Sequence, residues 1–317
     1  MPASIILRNS TNVRSIAILA WHRAALALTT AFAPARAVER AAELFTTPPR
    51  IPHTARELEA LATGIRFDVD SPVGRIAAWR FGARDKPVVL VSHGWGGRGA
   101  QLRAFLAPLL EAGYQPVLFD HAGHGYSEGH TSTLVHFVKG LDAVAARLER
   151  EGARIVGLIG HSAGAATAGA WLGQSGRRLR VVLIAPPVSL ERFSGHFARR
   201  LGLPERVRRA MQQHLEQRLG WPWKTFELPD SVARVDSDAL VIHDEADREV
   251  PLASGLALAR AWPGARFLAT RGLGHRAVLK DAAVVRDAVD FIAGEVVFAP
   301  PPPAGHARSF AAPSPIA

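Results

Sequence analysis

One stretch restricts the fold of this chain more than any other. The apolar run Ile155-Val156-Gly157-Leu158-Ile159 leads into Gly160-His161-Ser162-Ala163-Gly164, and the small-residue stretch Ala165-Ala166-Thr167-Ala168-Gly169-Ala170 follows at once. The apolar run reads as a buried strand and the small residues as a close-packed helix. A serine set between them sits on a sharp turn, with its hydroxyl standing free above the sheet. The glycines are there for steric reasons: a side chain at 160 or 164 would collide with the neighbouring strand or helix. The bare pentapeptide arises by chance in a chain with 28 glycines. Its setting between strand and helix makes Ser162 a candidate nucleophile rather than an ordinary helix N-cap.

Partners for Ser162 come later in the chain and in a telling order. The apolar run Ala239-Leu240-Val241-Ile242 is followed by His243-Asp244-Glu245-Ala246-Asp247-Arg248-Glu249-Val250-Pro251. The run Ala265-Arg266-Phe267-Leu268-Ala269 leads to Thr270-Arg271-Gly272-Leu273-Gly274-His275. Each polar group follows a predicted strand, which places it on a loop at the strand's carboxyl end, beside Ser162. Asp244, Glu245, Asp247 and Glu249 compete for the acid, and His275 is the late histidine in a Gly-x-Gly-His setting.

Chain order Ser, acid, His is that of the α/β-hydrolase triad, and the chain resembles a serine-type α/β-hydrolase in four further stretches. Val88-Val89-Leu90-Val91-Ser92-His93-Gly94-Trp95-Gly96-Gly97 is similar to the family's strand and HG oxyanion loop. Phe119-Asp120-His121-Ala122-Gly123-His124-Gly125-Tyr126-Ser127-Glu128-Gly129 resembles its D-x-x-G-H-G-x-S turn. Asp247-x-x-Val250-Pro251 and Gly272-x-Gly274-His275 resemble its acid and base loops. The resemblance runs from about Phe67 to Phe291 with one insert, and its spacing selects Asp247 as the acid, with Asp244 in reserve.

The resemblance implies a carboxylesterase- or lipase-like enzyme that cleaves an ester or thioester through an acyl-Ser162 intermediate. A serine hydroxyl needs a base to take its proton during attack, and an imidazole such as that of His275 suits the task. Asp247 would hold the ring in the right tautomer. The backbone N–H groups of Trp95 and Ala163 would form the oxyanion hole, with the Trp95 indole walling the acyl pocket. Asp120 and His124 read as braces of their turn, His93 as a partner of nearby backbone, and His161 as a residue beside the elbow that packs or meets substrate. The same triad also serves acyl transfer and the cleavage of amide or carbon–carbon bonds. A rival of another class is an idle hydrolase fold acting as a membrane or protein interaction module.

Short apolar runs near 67–72, 75–81, 87–92, 115–119, 155–159, 179–184, 239–243 and 266–270 read as strands. Alternating with helical segments, they give an α/β fold: a doubly wound, mostly parallel eight-stranded sheet. The core spans 60–187 and 236–296. Between them, 188–235 resembles a helical cap, whose Phe193, Phe197, Trp221 and Trp223 either line a hydrophobic acyl site or pack the cap itself.

Composition narrows the rest. Zero cysteines exclude disulfides, thiolate metal sites and cysteine nucleophiles. No HExxH sequence, Walker loop or dinucleotide fingerprint occurs, so neither a metal nor another cofactor is expected. The formal net charge is +10, spread over the chain and the cap; it fits a solvated surface or attraction to anionic lipid or an acidic acyl carrier, and no specific nucleic-acid motif accompanies it. Residues 1–50 read as a basic helical arm. Its apolar stretch Ile16 to Leu28 is broken by His22-Arg23, too polar to span a bilayer. Pro34 would hinder cleavage of a signal peptide after Ala31-Phe32-Ala33. A cytoplasmic protein follows, with the arm packed on the body or lying at a membrane surface. Residues 297–317 read as a disordered Pro-rich tail.

Overall fold

The computed structural model describes residues 13–295 and 299–301, and of residues 13–15 the backbone alone. The described chain opens with helices α1 (Val13–Phe32), α2 (Pro34–Thr46) and α3 (Ala55–Ala62). Strands β1 (Ile65–Val69), β2 (Ile76–Arg80) and β3 (Val88–Ser92) follow, then α4 (Leu106–Glu111) and β4 (Gln115–Phe119). Next come α5 (Leu134–Arg150), β5 (Ile155–His161), α6 (Ala163–Ser175) and β6 (Arg180–Ile184). The insert contains α7 (Leu190–Leu201), α8 (Glu205–Leu219), a short turn Trp223–Phe226 and α9 (Leu228–Val232). The chain returns through β7 (Ala239–Asp244), α10 (Leu252–Ala261), β8 (Arg266–Thr270), α11 (Gly274–Ala277) and α12 (Ala282–Ala293).

The strands form one eight-stranded sheet in the order β1-β2-β4-β3-β5-β6-β7-β8. β1, β2 and β4 pair antiparallel, and from β4 to β8 every pairing is parallel. A parallel sheet is covered on both faces, so its strands are apolar throughout rather than alternating. β3 illustrates the consequence. Val88 and Leu90 join the core on one face with Leu141, Leu158 and Trp171. Val89 and Val91 join the core on the other, with Phe105, Ile159 and Val285. The first strand lies earlier than its expected place at 67–72. It ends at Val69 because Asp70-Ser71-Pro72 turns the chain, with Val73 N–H donating to Ser71 Oγ at 3.2 Å.

A third core belongs to the arm and the insert together. Leu26 of α1 and Ala37, Ala41, Leu44 and Phe45 of α2 pack with Phe197, Leu201, Met211, Leu215 and Trp223 of the insert. The arm therefore docks on the insert. Beyond α2 the chain runs on across the core. Thr46 O accepts from Ser132 N–H at 2.7 Å, and the Arg50 guanidinium donates to Ser127 O at 3.1 Å. Among the described residues no helix is long and apolar enough to cross a membrane. At the other end Phe267 N–H, on edge strand β8, donates to Ala299 O at 3.1 Å. The rest of the expected tail lies outside the described residues.

Candidate active site

Strand β5 and helix α6 meet at Ser162, whose φ of 52° and ψ of −119° lie in a region that favours glycine. Such a conformation stores on the order of 1–3 kcal/mol and persists only where the surroundings enforce it. Here they do. A Cβ on Gly160 would come within 2.7 Å of Gly164 O and 2.8 Å of Ala165 Cα, inside the helix. A Cβ on Gly164 would come within 2.4 Å of Ser92 O and 2.6 Å of His93 O, at the end of β3. Both glycines are needed for the close approach expected from the sequence. Ser162 makes no side-chain cap bond to α6, so its hydroxyl is not committed to the helix it precedes. Gly94 of the HG loop passes directly above: a Cβ there would lie 2.9 Å from Ser162 Cβ.

Four carboxylates compete on the loop after β7, and the structure gives each a different partner. Asp247 Oδ2 lies 2.7 Å from His275 Nδ1. A carboxylate only accepts, so Nδ1 carries the proton and Nε2 keeps its lone pair. Asp247 Oδ1 accepts from the N–H groups of Glu249 at 2.8 Å and Val250 at 2.9 Å. Burial pushes the Asp247 carboxyl up, but the hydrogen bond and charge of His275 and these two backbone donors outweigh it and hold it below its ordinary value. Asp244 instead braces the two loops. It accepts from Ala246 N–H and Gly274 N–H through Oδ1, and from Thr270 Oγ1–H and Leu273 N–H through Oδ2. Glu245 pairs with Arg271 at 3.1 Å and Glu249 with Arg276 at 2.9 Å, both at the surface.

His161, beside Ser162, faces His275. Its Nε2 lies 2.8 Å from the His275 carbonyl oxygen, so Nε2 is the donor. The two rings stand 4.7 Å apart. Burial first, then the nearby His275, lowers the His161 pKa to about 3. His243, at the end of β7, donates from Nε2 to Val250 O at 2.9 Å and lies 3.6 Å from Asp247 Oδ2. The sequence reading passed over it, because a histidine at a strand end has no signal of its own until the acid loop folds back.

The HG loop rests on three buried histidines. His93 accepts from His121 N–H at 2.9 Å through Nε2 and donates from Nδ1 to Gly94 O at 2.7 Å. His124 Nε2 accepts from Gly96 N–H at 3.0 Å, and its Nδ1 donates to Ala122 O. The His124 ring stands edge-on to Trp95, whose indole stacks on Phe137. Asp120 braces its own turn, accepting from Gly99 N–H and Tyr126 N–H, each at 2.8 Å. Arg98, the next loop residue but one after Gly96, forms a buried ion pair with Glu57 of α3 at 2.5 Å. This pair was also missed from sequence, since its members stand far apart in the chain. The arm closes the loop from above: a Cβ on Gly96 would lie 2.5 Å from the Pro49 ring.

Of the residues expected around the substrate, His161 contacts His275, whereas the aromatics of the insert pack on one another and on the arm. Phe197 and Trp223 are buried, and the Phe45 ring of the arm lies 5.1 Å and 5.8 Å from them. Phe193 stands edge-on to Phe45 at 5.7 Å, and Trp221 stacks on Phe226 at 5.9 Å. Packing contact is one of the two roles expected for these four side chains. Among the described residues no group of acidic or histidine side chains is arranged to hold a metal ion.

No curated protein sequence matches this chain. Its fold is shared with solved esterases. The Pyrococcus furiosus esterase Pf2001 superposes with a TM-score of 0.61 at 18% identity, over 78% of this chain and 98% of that one. Est1E from Butyrivibrio proteoclasticus, solved with ferulic acid bound, gives 0.58 at 16% identity over 72% and 98%. Carboxylesterase CesB from Bacillus subtilis gives 0.55 at 17% identity over 76% and 97%. At such identities the likeness is one of fold. The sequence pattern described as serine aminopeptidase, S33, matches residues 83–269, more than half of the chain. On that match and this fold, the chain belongs to the S33 family of α/β-hydrolases.

Proposed function

We propose that the chain hydrolyses a carboxylic ester or thioester through an acyl-Ser162 intermediate. The observation that carries this reading is the 2.7 Å hydrogen bond from His275 Nδ1 to Asp247, on a loop whose backbone is held by the neighbour of Ser162. With its proton on Nδ1, His275 offers Nε2 to the serine hydroxyl. Ser162 Oγ attacks the substrate carbonyl carbon as His275 takes the proton, and the ionised Asp247 stabilises the resulting imidazolium. The tetrahedral oxyanion is received by the N–H groups of Ala163 and Trp95, each worth about 2.7–4 kcal/mol by analogy with a removed donor elsewhere. The proton then passes to the leaving alcohol or thiol. Water, activated by His275, attacks the acyl-enzyme and releases the acid.

The family description also raises amide cleavage at a peptide's amino terminus. The acid and base loops argue against it. An aminopeptidase needs an anionic group for the substrate's ammonium, and each carboxylate there already has a partner: Asp247 in His275, Asp244 in backbone N–H groups, Glu245 in Arg271 and Glu249 in Arg276. An ester asks for no such group.

The test is turnover of p-nitrophenyl esters from acetyl to palmitoyl, with alanine p-nitroanilide alongside, by wild type and Ser162→Ala. Ester turnover that disappears in Ser162→Ala supports the reading, and the chain-length optimum sizes the acyl site. Anilide turnover without ester turnover would replace it with the peptidase reading. No Ser162-dependent turnover of either would leave acyl transfer, carbon–carbon cleavage or an idle fold.

A further inference from the structure

Helix α1 is covered by its own chain on one side only. His22, Leu26 and Thr30 are buried, on the side that meets α2 and α7. The opposite side is bare. Trp21 is 60% exposed, Leu28 62% and Phe32 84%. Ala17, Trp21, Ala24, Leu28 and Phe32 follow helical spacing along one line, and Ala20, Ala27 and Ala31 beside it are also exposed. Ile16, Leu19, Ala20 and Arg23 line a shallow groove on the same helix.

An apolar helix face is ordinarily covered, by protein or by lipid. α1 cannot gain that cover by crossing a bilayer, since no described helix is long and apolar enough. Lying in the plane of a bilayer surface remains, with the bare side in the acyl boundary and an interfacial tryptophan at headgroup level. Charge selects the lipid. Residues 1–38 contain Arg8, Arg14, Arg23 and Arg36 and no acidic residue. Arg23 and Arg36 are exposed, and Arg23 lies against Gly202 at the end of α7. A second copy is the poorer occupant. Symmetric pairing through the line of Trp21, Leu28 and Phe32 would not engage Arg23 or Arg36, which an anionic bilayer does.

We propose that α1 is a monotopic docking surface for anionic lipid bilayers, with Trp21, Leu28 and Phe32 inserted among the acyl chains and Arg23 and Arg36 at the headgroups. The inference stands apart from the catalytic reading, for it uses no residue of the triad or its loops. Flotation of the full-length protein with phosphatidylcholine vesicles, with and without phosphatidylglycerol, tests it. The expected result is binding to the anionic vesicles at least tenfold above binding to phosphatidylcholine alone, weakened by 0.5 M salt. The Trp21→Glu/Phe32→Glu double variant is expected to abolish it, and Arg23→Glu/Arg36→Glu to weaken it severalfold. All these side chains are exposed, so an unchanged thermal melt shows that the variants remain folded. Absence of vesicle binding, or binding that the double variant keeps, overturns the proposal. So does a dimer in sedimentation equilibrium that Trp21→Glu/Phe32→Glu dissolves, which would assign the face to self-association.

Discussion

His161 donates from Nε2 to the main-chain carbonyl oxygen of His275 at 2.8 Å, so the residue before the proposed nucleophile holds the backbone of the proposed base. This bond spans the sheet from the end of β5 to the loop after β8. It ties the turn at Ser162 to His275 without occupying the Ser162 hydroxyl or His275 Nε2.

Removing that donor is expected to misplace the imidazole while leaving the triad chemistry present. His161→Phe should lower kcat by roughly 10–100-fold with little change in KM, the cost of a displacement near 1 Å. His161→Gln, whose amide N–H can reach the same oxygen, should recover much of the loss. Equal kcat for Phe and wild type would show that the bond does not position His275.

Asp247→Asn keeps the shape of the acid but turns a donor toward His275 Nδ1 and forces the other tautomer. A loss of about 10⁴-fold in kcat is expected, the scale seen for such a change in a Ser-His-Asp triad. Asp244→Asn should act differently. It weakens the brace to Gly274 and Leu273, so the fold loses stability before kcat falls by a comparable factor. Steady-state kinetics and urea denaturation on both variants separate the two roles.

Glu57→Ala strands a buried guanidinium. The Arg98–Glu57 side chains are 5% and 4% exposed, and breaking a buried pair on one side costs about 3–5 kcal/mol. Because Arg98 follows the HG loop, activity should fall together with the denaturation midpoint. A variant within about 0.5 kcal/mol of wild type would show that the pair is solvated in practice.

Stability is expected to fall as pH drops below neutrality. Burial lowers His161 to about 3, and His124 and His136 to about 4. An unfolded chain binds protons on these rings near pH 6.5, and the folded chain does not until much lower. Between those values the unfolded state holds more protons, so stability declines with falling pH, by up to about 1.4 kcal/mol per unit for each ring. Asp120 opposes this. Burial raises it to about 6, so between about pH 4 and 6 the fold keeps a proton that the unfolded chain releases, and stability gains as pH falls. Three histidines outweigh one aspartate. Urea midpoints at pH 7, 6 and 5 should decrease in that order, and a flat or rising series would contradict the assignment.

The local turn at Ser162 was legible in the sequence because its requirements are local. Gly160 and Gly164 must lack side chains where strand meets helix, and that demand is written within five residues. The strand positions and the loops bearing Asp247 and His275 were likewise legible, since apolar runs mark strands and polar groups follow their carboxyl ends; the order of the strands in the sheet was not. Choosing among Asp244, Asp247 and Glu249 required a family spacing, because single residues on one loop differ only in where their side chains point.

The sequence alone therefore determined the elbow, the sheet and the set of chemical groups, all properties of short segments with their own periodicity and sterics. Tertiary structure decided the pairings between distant segments. Phe45 of the arm meets Phe197 and Trp223; Pro49 covers Gly96; Glu57 neutralises Arg98; and His161 reaches His275. Each joins residues far apart in the chain whose contact carries no local pattern. An apolar side chain satisfies the same hydrophobic demand against a cap, an arm or an acyl group, so only the folded geometry distinguishes among them.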